Sequence, residues 1–147
     1  MAISRRKHLS SHLIPTTFQK IMQSSAYTVF ILSAEEKQFA IYADPKIGQM
    51  IQTLLSDKPP PRPYTHELLN QVLVGLDIKI LQAVIYDVND TVYYARLFIE
   101  QIVDNERRIV EIDARPSDCL TLALMNNIPI FCREEAYEKI IPLESFQ

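Results

Sequence analysis

Apolar positions along this chain follow two periods, and the change from one to the other marks out its elements. Tyr27-Thr28-Val29-Phe30-Ile31-Leu32 and Gln38-Phe39-Ala40-Ile41-Tyr42 read as strands on either side of the polar turn Ala34-Glu35-Glu36-Lys37, which predicts a hairpin. Residues 13–22 supply a possible strand before it. After Pro45, Ile47, Met50, Ile51, Leu54 and Leu55 recur at helical spacing, so an amphipathic helix should cover the sheet, its methionine-bearing stripe being core. Lys58-Pro59-Pro60-Pro61-Arg62-Pro63 is too proline-dense for helix or central strand and reads as a stiff extended connector between core elements.

Leu68, Leu69, Val72 and Leu73 then form an apolar helical stripe, with Gly75 placed as its C′ residue. Residues 78–87 and 91–101 read as two long strands around the turn Val88-Asn89-Asp90, and Arg107-Arg108-Ile109-Val110-Glu111-Ile112-Asp113 alternates as a half-buried strand does. Pro116 suits the first turn of a helix over about 117–126, which buries Leu120, Ala123 and Leu124 and stops at Asn126-Asn127-Ile128-Pro129. Residues 134–140 suit a short closing helix with Ala136 and Ile140 inward. These elements predict an α+β, two-layer single domain in which a mixed, largely antiparallel sheet packs against three to four helices. Its expected parts are an N-terminal segment over 1–25, partly flexible, the domain proper over 26–142, and a loose tail over 143–147.

Candidate chemistry gathers at two Arg-Pro helix starts about fifty residues apart. Pro61-Arg62-Pro63-Tyr64-Thr65-His66-Glu67-Leu68-Leu69 is one, and Asp113-Ala114-Arg115-Pro116-Ser117-Asp118-Cys119-Leu120, where a strand turns into a helix, is the other. Convergence of the two would join carboxylates, guanidinium groups and an imidazole in a site able to grip a phosphate or a metal. Asp113, Asp118 and Glu67 would act as ligands of a divalent cation, Mg2+ or Mn2+. Glu67, His66 and Asp113 would carry base or proton-transfer roles, while Arg62 and Arg115 clamp phosphate with Thr65 and Ser117 beside them. Each has a plainer reading: Thr65 or Asp118 caps a helix, Arg115 pairs with Asp113 or Asp118, and His66 is an ordinary hydrogen-bonded imidazole. Ser117 is a poor candidate nucleophile, since no partner base stands at fixed spacing.

The two motifs in this order resemble those of the bifunctional nuclease family, whose proteins carry a proline-arginine-proline, threonine-histidine-acid run and an aspartate-alanine-arginine-proline-serine-aspartate run. Asp90-Thr91-Val92-Tyr93-Tyr94-Ala95 is similar to the family's central hairpin, and Ile128-Pro129-Ile130-Phe131 to its strand after the last long helix. The similarity spans roughly residues 26–142. It implies a compact mixed-sheet domain, often a homodimer, with nuclease action on DNA and RNA attributed to some members. The chain departs from the pattern at Asp44-Pro45-Lys46-Ile47-Gly48, where glycine-proline-aromatic-glutamate-alanine is more usual, so Ile47 replaces an acid. If that acid takes part in hydrolysis the protein is impaired or specialised; if it only caps or packs, nothing is lost. Cys119 in place of a small alanine is a packing change.

Composition narrows these expectations. A chain of 147 residues, 48% hydrophobic, should bury about 70% of its unfolded surface. Two cysteines are too few for a disulfide framework or cysteine metal cluster, which suggests reduced, buried thiols in the cytoplasm. No apolar run is long enough to span a bilayer, so no membrane contact is expected. A net charge of −3 argues against a broad non-specific grip on nucleic acid, leaving any contact with DNA or RNA local. The one dense basic cluster, Arg5-Arg6-Lys7-His8, reads as a solvated tail. Two glycines exclude a Gly-rich phosphate loop. A catalytic nuclease and a non-catalytic dimeric or anion-binding module both remain compatible with this reading.

Overall fold

The computed structural model describes residues 12–144, so the basic cluster at 5–8 lies outside the described residues. Seven strands and four helices follow in the order β1 (Leu13–Gln23), β2 (Thr28–Ala34), β3 (Lys37–Ala43), α1 (Pro45–Leu55), α2 (Thr65–Gly75), β4 (Ile78–Asn89), β5 (Val92–Val103), β6 (Glu106–Ala114), α3 (Pro116–Asn126), β7 (Ile130–Arg133) and α4 (Glu134–Lys139). One sheet takes the order β3-β2-β1-β7-β4-β5-β6. All its neighbours are antiparallel except β4 and β7. The expected mixed, largely antiparallel α+β domain is therefore what forms.

The short loops show why these sequences turn. Asp104 and Asn105, between β5 and β6, both have positive φ, the backbone that a tight hairpin needs and that Asp and Asn tolerate. Asp90 does the same between β4 and β5, and Asn127 ends α3 in the left-handed conformation. At the end of α2 the expected role of Gly75 is not realised. Gly75 is the last helical residue and has no positive φ; the left-handed residue is Asp77, whose side chain is equally permissive.

The sheet is sharply curled. Phe39 on β3 stacks on Tyr93 on β5 with ring centroids 5.5 Å apart, although four strands separate them in the sheet order. Register shifts between Phe18 and Lys20 on β1, and between Ile80 and Gln82 and between Ile85 and Asp87 on β4, mark bulges that add local twist. The concave side holds the core, with Phe30, Leu32, Phe39, Ile85 and Leu120 fully buried, and α3 closes it by touching β3, β4 and β5. Past α4, the Leu143 N–H donates to the Gln38 carbonyl at 2.7 Å, so the start of the expected loose tail is tied to β3.

Two elements are less buried than their patterns suggest. Every residue of β6 is exposed except half-buried Ala114, because β6 is an edge strand with helices over only part of its inner face. Helix α2 buries no residue; Leu68 stays 57% exposed, and Leu69, Val72 and Val74 are exposed too. An apolar stripe shows which face of a helix prefers cover, not that the fold supplies it.

Helix α1 meets the sheet at Gly48 and Thr28. The Gly48 N–H donates to Thr28 Oγ1 at 2.9 Å, and that hydroxyl donates to the Asp44 carbonyl at 2.9 Å, so a fully buried threonine ties β2 to the helix start. A Cβ on Gly48 would lie 2.7 Å from Thr28 Oγ1. Gly48→Ala is therefore expected to lose about 1–3 kcal/mol of unfolding free energy by overpacking, despite alanine's better helix propensity; chemical denaturation checks this, and equal or greater stability would refute the close approach.

Candidate active site

Three helices begin beside one cavity of about 910 Å3. Asp44 caps α1 by accepting from the Lys46 N–H at 2.8 Å, which sets Lys46 and Ile47 in the cavity wall. Helix α2 opens with Tyr64, Thr65 and His66 on the same cavity, and α3 brings Arg115 and Asp118. Leu97, Ile99 and Ile112, from β5 and β6, form the opposite wall. Helix N-termini carry partial positive charge, so their convergence favours an anion at this mouth.

Asp118 is the hub of the polar part. Its Oδ1 lies 2.8 Å from His66 Nε2, and its Oδ2 accepts from Arg115 Nε at 2.8 Å, with Arg115 Nη2 donating to Oδ1 at 3.2 Å. Burial would raise the Asp118 carboxyl, but hydrogen bonds from Arg115 and His66 outweigh it and hold the group below the usual carboxylate range. An ionised carboxylate only accepts, so His66 Nε2 carries a proton, and Nδ1 is the atom left to accept whenever the ring is neutral. The His66 side chain is 12% exposed, and Nδ1 is buried without a hydrogen-bond partner among the described residues. Arg115 is 77% exposed, its guanidinium fork held at one edge by Asp118.

The expected ligand trio does not assemble. Glu67 turns back on its own helix, where Oε1 accepts from the Tyr64 N–H at 2.9 Å, so Glu67 rather than Thr65 completes the cap of α2. Asp113 pairs across the sheet with Arg96, one residue out of phase with the cavity-facing Ile112, and its Oδ1 accepts from the Tyr86 hydroxyl at 3.1 Å. That face carries a separate network in which Arg96 pairs with Glu111 and lies 4.1 Å over the Tyr86 ring. Asp113 thus lines the cavity while its carboxylate is bonded to Tyr86. Among the described residues no three His, Cys, Asp or Glu side chains are grouped to hold a metal ion. The residues in place do not fit a protein-held divalent cation.

Thr65 is exposed at the first turn of α2 and lines the cavity. Arg62 is exposed in the connector and makes no side-chain hydrogen bond or ion pair among the described residues, while Ser117, half-buried, offers its carbonyl to the Thr121 hydroxyl at 2.7 Å. Cys119 sits against the cavity, but burial, reinforced by the charges of Asp118 and Asp113, pushes its thiol up to about 12, which makes it a poor nucleophile. Sequence reasoning missed Lys46 as a mouth residue; Met50 is core as expected and lines the cavity as well. The one available signal was that Ile47, Met50 and Pro45 share the start of a helix, and it does not reveal which neighbour they face.

A family model described as "Bifunctional nuclease domain" matches residues 29–141. Two curated relatives, "Uncharacterized protein MT1877" and "Uncharacterized protein Rv1829", both from Mycobacterium tuberculosis, are each 32% identical over 89 residues, covering 58% of this chain and 50% of the relative. The chain therefore spans about half the length of the curated relatives it matches.

The depressed Asp118 pKa makes a signed prediction. Its contribution to stability is present above the unfolded value near 3.8 and is lost as pH falls through the lower folded value. Wild type should exceed Asp118→Asn in unfolding free energy at neutral pH, with the gap closing below about pH 4; a gap independent of pH would show that the carboxylate charge does not hold the pair.

Proposed function

Because the chain belongs to the bifunctional nuclease domain family, we propose that it hydrolyses phosphodiester bonds of DNA or RNA, with His66 as general base, Asp118 as its orienting partner and Arg115 as the phosphate clamp. The observation that carries this reading is the His66 Nε2 to Asp118 contact of 2.8 Å, which leaves Nδ1 as an unpartnered acceptor on a residue lining the cavity. An imidazole so held takes a proton from an attacking water or ribose hydroxyl once the mouth opens enough to bring it to the buried Nδ1, and the ionised Asp118 stabilises the imidazolium that results. That imidazolium can return the proton to the departing oxygen. Arg115, planar and permanently charged, offers its free edge to the phosphate. A divalent cation, Mg2+ or Mn2+, would have to arrive with the phosphate, since the protein gathers no ligand trio of its own.

A non-catalytic module that holds an anion at the same mouth is the second reading, and Ile47 favours it by lining the cavity where the family pattern has an acid. One assay separates them. Purified protein is tested on single-stranded DNA and RNA with Mg2+, Mn2+ or chelator, beside His66→Ala and Asp118→Asn. Hydrolysis predicts a fall of about 10²-fold or more in rate for His66→Ala with the fold intact. Wild type inert under all conditions, or a variant equal to wild type, would leave the binding module.

The same reading includes a homodimer. Exposed Ile109, Val110 and Ile112 lie on an edge strand with unpaired backbone groups. Antiparallel pairing of β6 with itself about Val110 sets Arg107 opposite Asp113 in the second copy, and a one-residue change of axis to Ile109 sets Arg107 opposite Glu111, so both registers match opposite charges. Sedimentation should show a dimer that Val110→Lys converts to monomer; a wild-type monomer at tens of micromolar would refute it. No helix among the described residues is long and apolar enough to cross a membrane, and two unpaired, buried thiols fit the reducing cytoplasm we propose as its location.

A further inference from the structure

The cavity beside His66 has a character that phosphodiester chemistry does not need. Behind its polar mouth, Ile47, Met50, Leu73, Leu97, Ile99 and Leu122 meet without a polar side-chain group among them. Its volume of about 910 Å3 falls in the range of roughly 300–1,000 Å3 typical of small-molecule sites. A nucleobase entering that wall would bury edge donors and acceptors with nothing to meet them. Hydrocarbon would lose nothing there.

The mouth is selective in the opposite sense. Asp118 is offset by the Arg115 guanidinium, while Asp113, bonded to the Tyr86 hydroxyl, keeps its negative charge, which the cations and helix starts at the mouth have to outweigh. Lys46 is exposed, with no ion pair among the described residues, and stands at the N-terminus of α1. Arg115 keeps one edge of its fork open, and the first turns of α2 and α3 add their partial positive charge. Ile47 sits between the two regions, one residue from Lys46. A carboxylate at 47 would place negative charge in the wall; isoleucine completes an apolar lining instead.

We propose that this cavity binds a small amphiphilic anion, its carboxylate or phosphate held by Lys46 and Arg115 and its aliphatic body lying along Ile47, Met50 and Leu97. The proposal goes beyond the hydrolytic reading and does not depend on it, since binding is measured without nucleic acid. A ligand seated there would occupy the phosphate position at Arg115 and compete with any polynucleotide.

The test is isothermal titration of the full chain with decanoate, decyl phosphate and neutral 1-decanol, each below its micelle or solubility limit. Binding at one site per chain is expected, with at least one of the two anions about tenfold or more tighter than decanol; the preferred anion distinguishes a fatty acid from an alkyl phosphate source. Lys46→Ala and Arg115→Ala, both at exposed positions, should each weaken the anion and leave decanol unchanged. Ile47→Glu should weaken all three, and Leu73→Asn on the exposed helix α2 gives the same readout should Ile47→Glu fail to fold. Absence of saturable binding would overturn the proposal, as would equal affinities for anion and alcohol that ignore Lys46 and Arg115. No uptake at concentrations where the chain self-associates would assign the cavity to a second copy and overturn it equally.

Discussion

A single carboxylate couples the two helix starts on which this site depends. Helix α2 has no buried residue, so hydrophobic packing alone gives it little reason to keep a fixed pose. Asp118, at the first turn of α3, accepts from His66 of α2 and from Arg115 ahead of its own helix. The bond to His66 ties the start of α2 to that of α3, and both donors hold the partly buried Asp118 carboxyl below its usual range despite its burial. The arrangement that orients the imidazole is thus also one that positions the helix carrying it.

The curl of the sheet explains why a cavity exists. Bulges in β1 and β4 bend the strands until β3 and β5 meet through Phe39 and Tyr93, and α3 fills the concavity. Strand β6 then projects beyond the helix layer, with α2 standing off its inner face. Ile99 and Ile112 are left half-open along that space, beside the buried core residue Leu97. Exposed apolar groups on α2 and β6 surround that space, an arrangement more typical of surfaces that meet a ligand or another chain than of an isolated monomer.

Chemically, the site is an Arg-Asp-His array set on a largely aliphatic chamber. The array suits proton transfer beside a phosphate, and the chamber suits hydrocarbon. Glu67 and Asp113, which lie in the same motifs, serve the helix cap and the far face of the sheet. Motif membership gathered eight polar candidates in the chain, but only His66, Arg115 and Asp118 of them are joined by side-chain hydrogen bonds.

Local signals carried most of the architecture. Pro116 at the first turn of α3, the Asn127 stop, the polar turns and the alternating runs each act through neighbouring residues, so the elements and the class of the sheet were readable from the chain. Burial of β6 and α2 was not, because strand alternation and helical stripes report a preferred face, while the depth of that face depends on which strand ends up at the edge. The pairing of His66 with Asp118 crosses 52 positions, and sequence could offer both residues without a distance between them. The direction of Asp113 followed from a one-residue phase relative to Ile112, and the meeting of Ile47 with Leu97 from a curl built by three bulges. The chain by itself determined which residues would start helices and which chemistry they could carry; folding decided which of those starts came to share a cavity, because that depends on strand order and twist summed over the whole sheet.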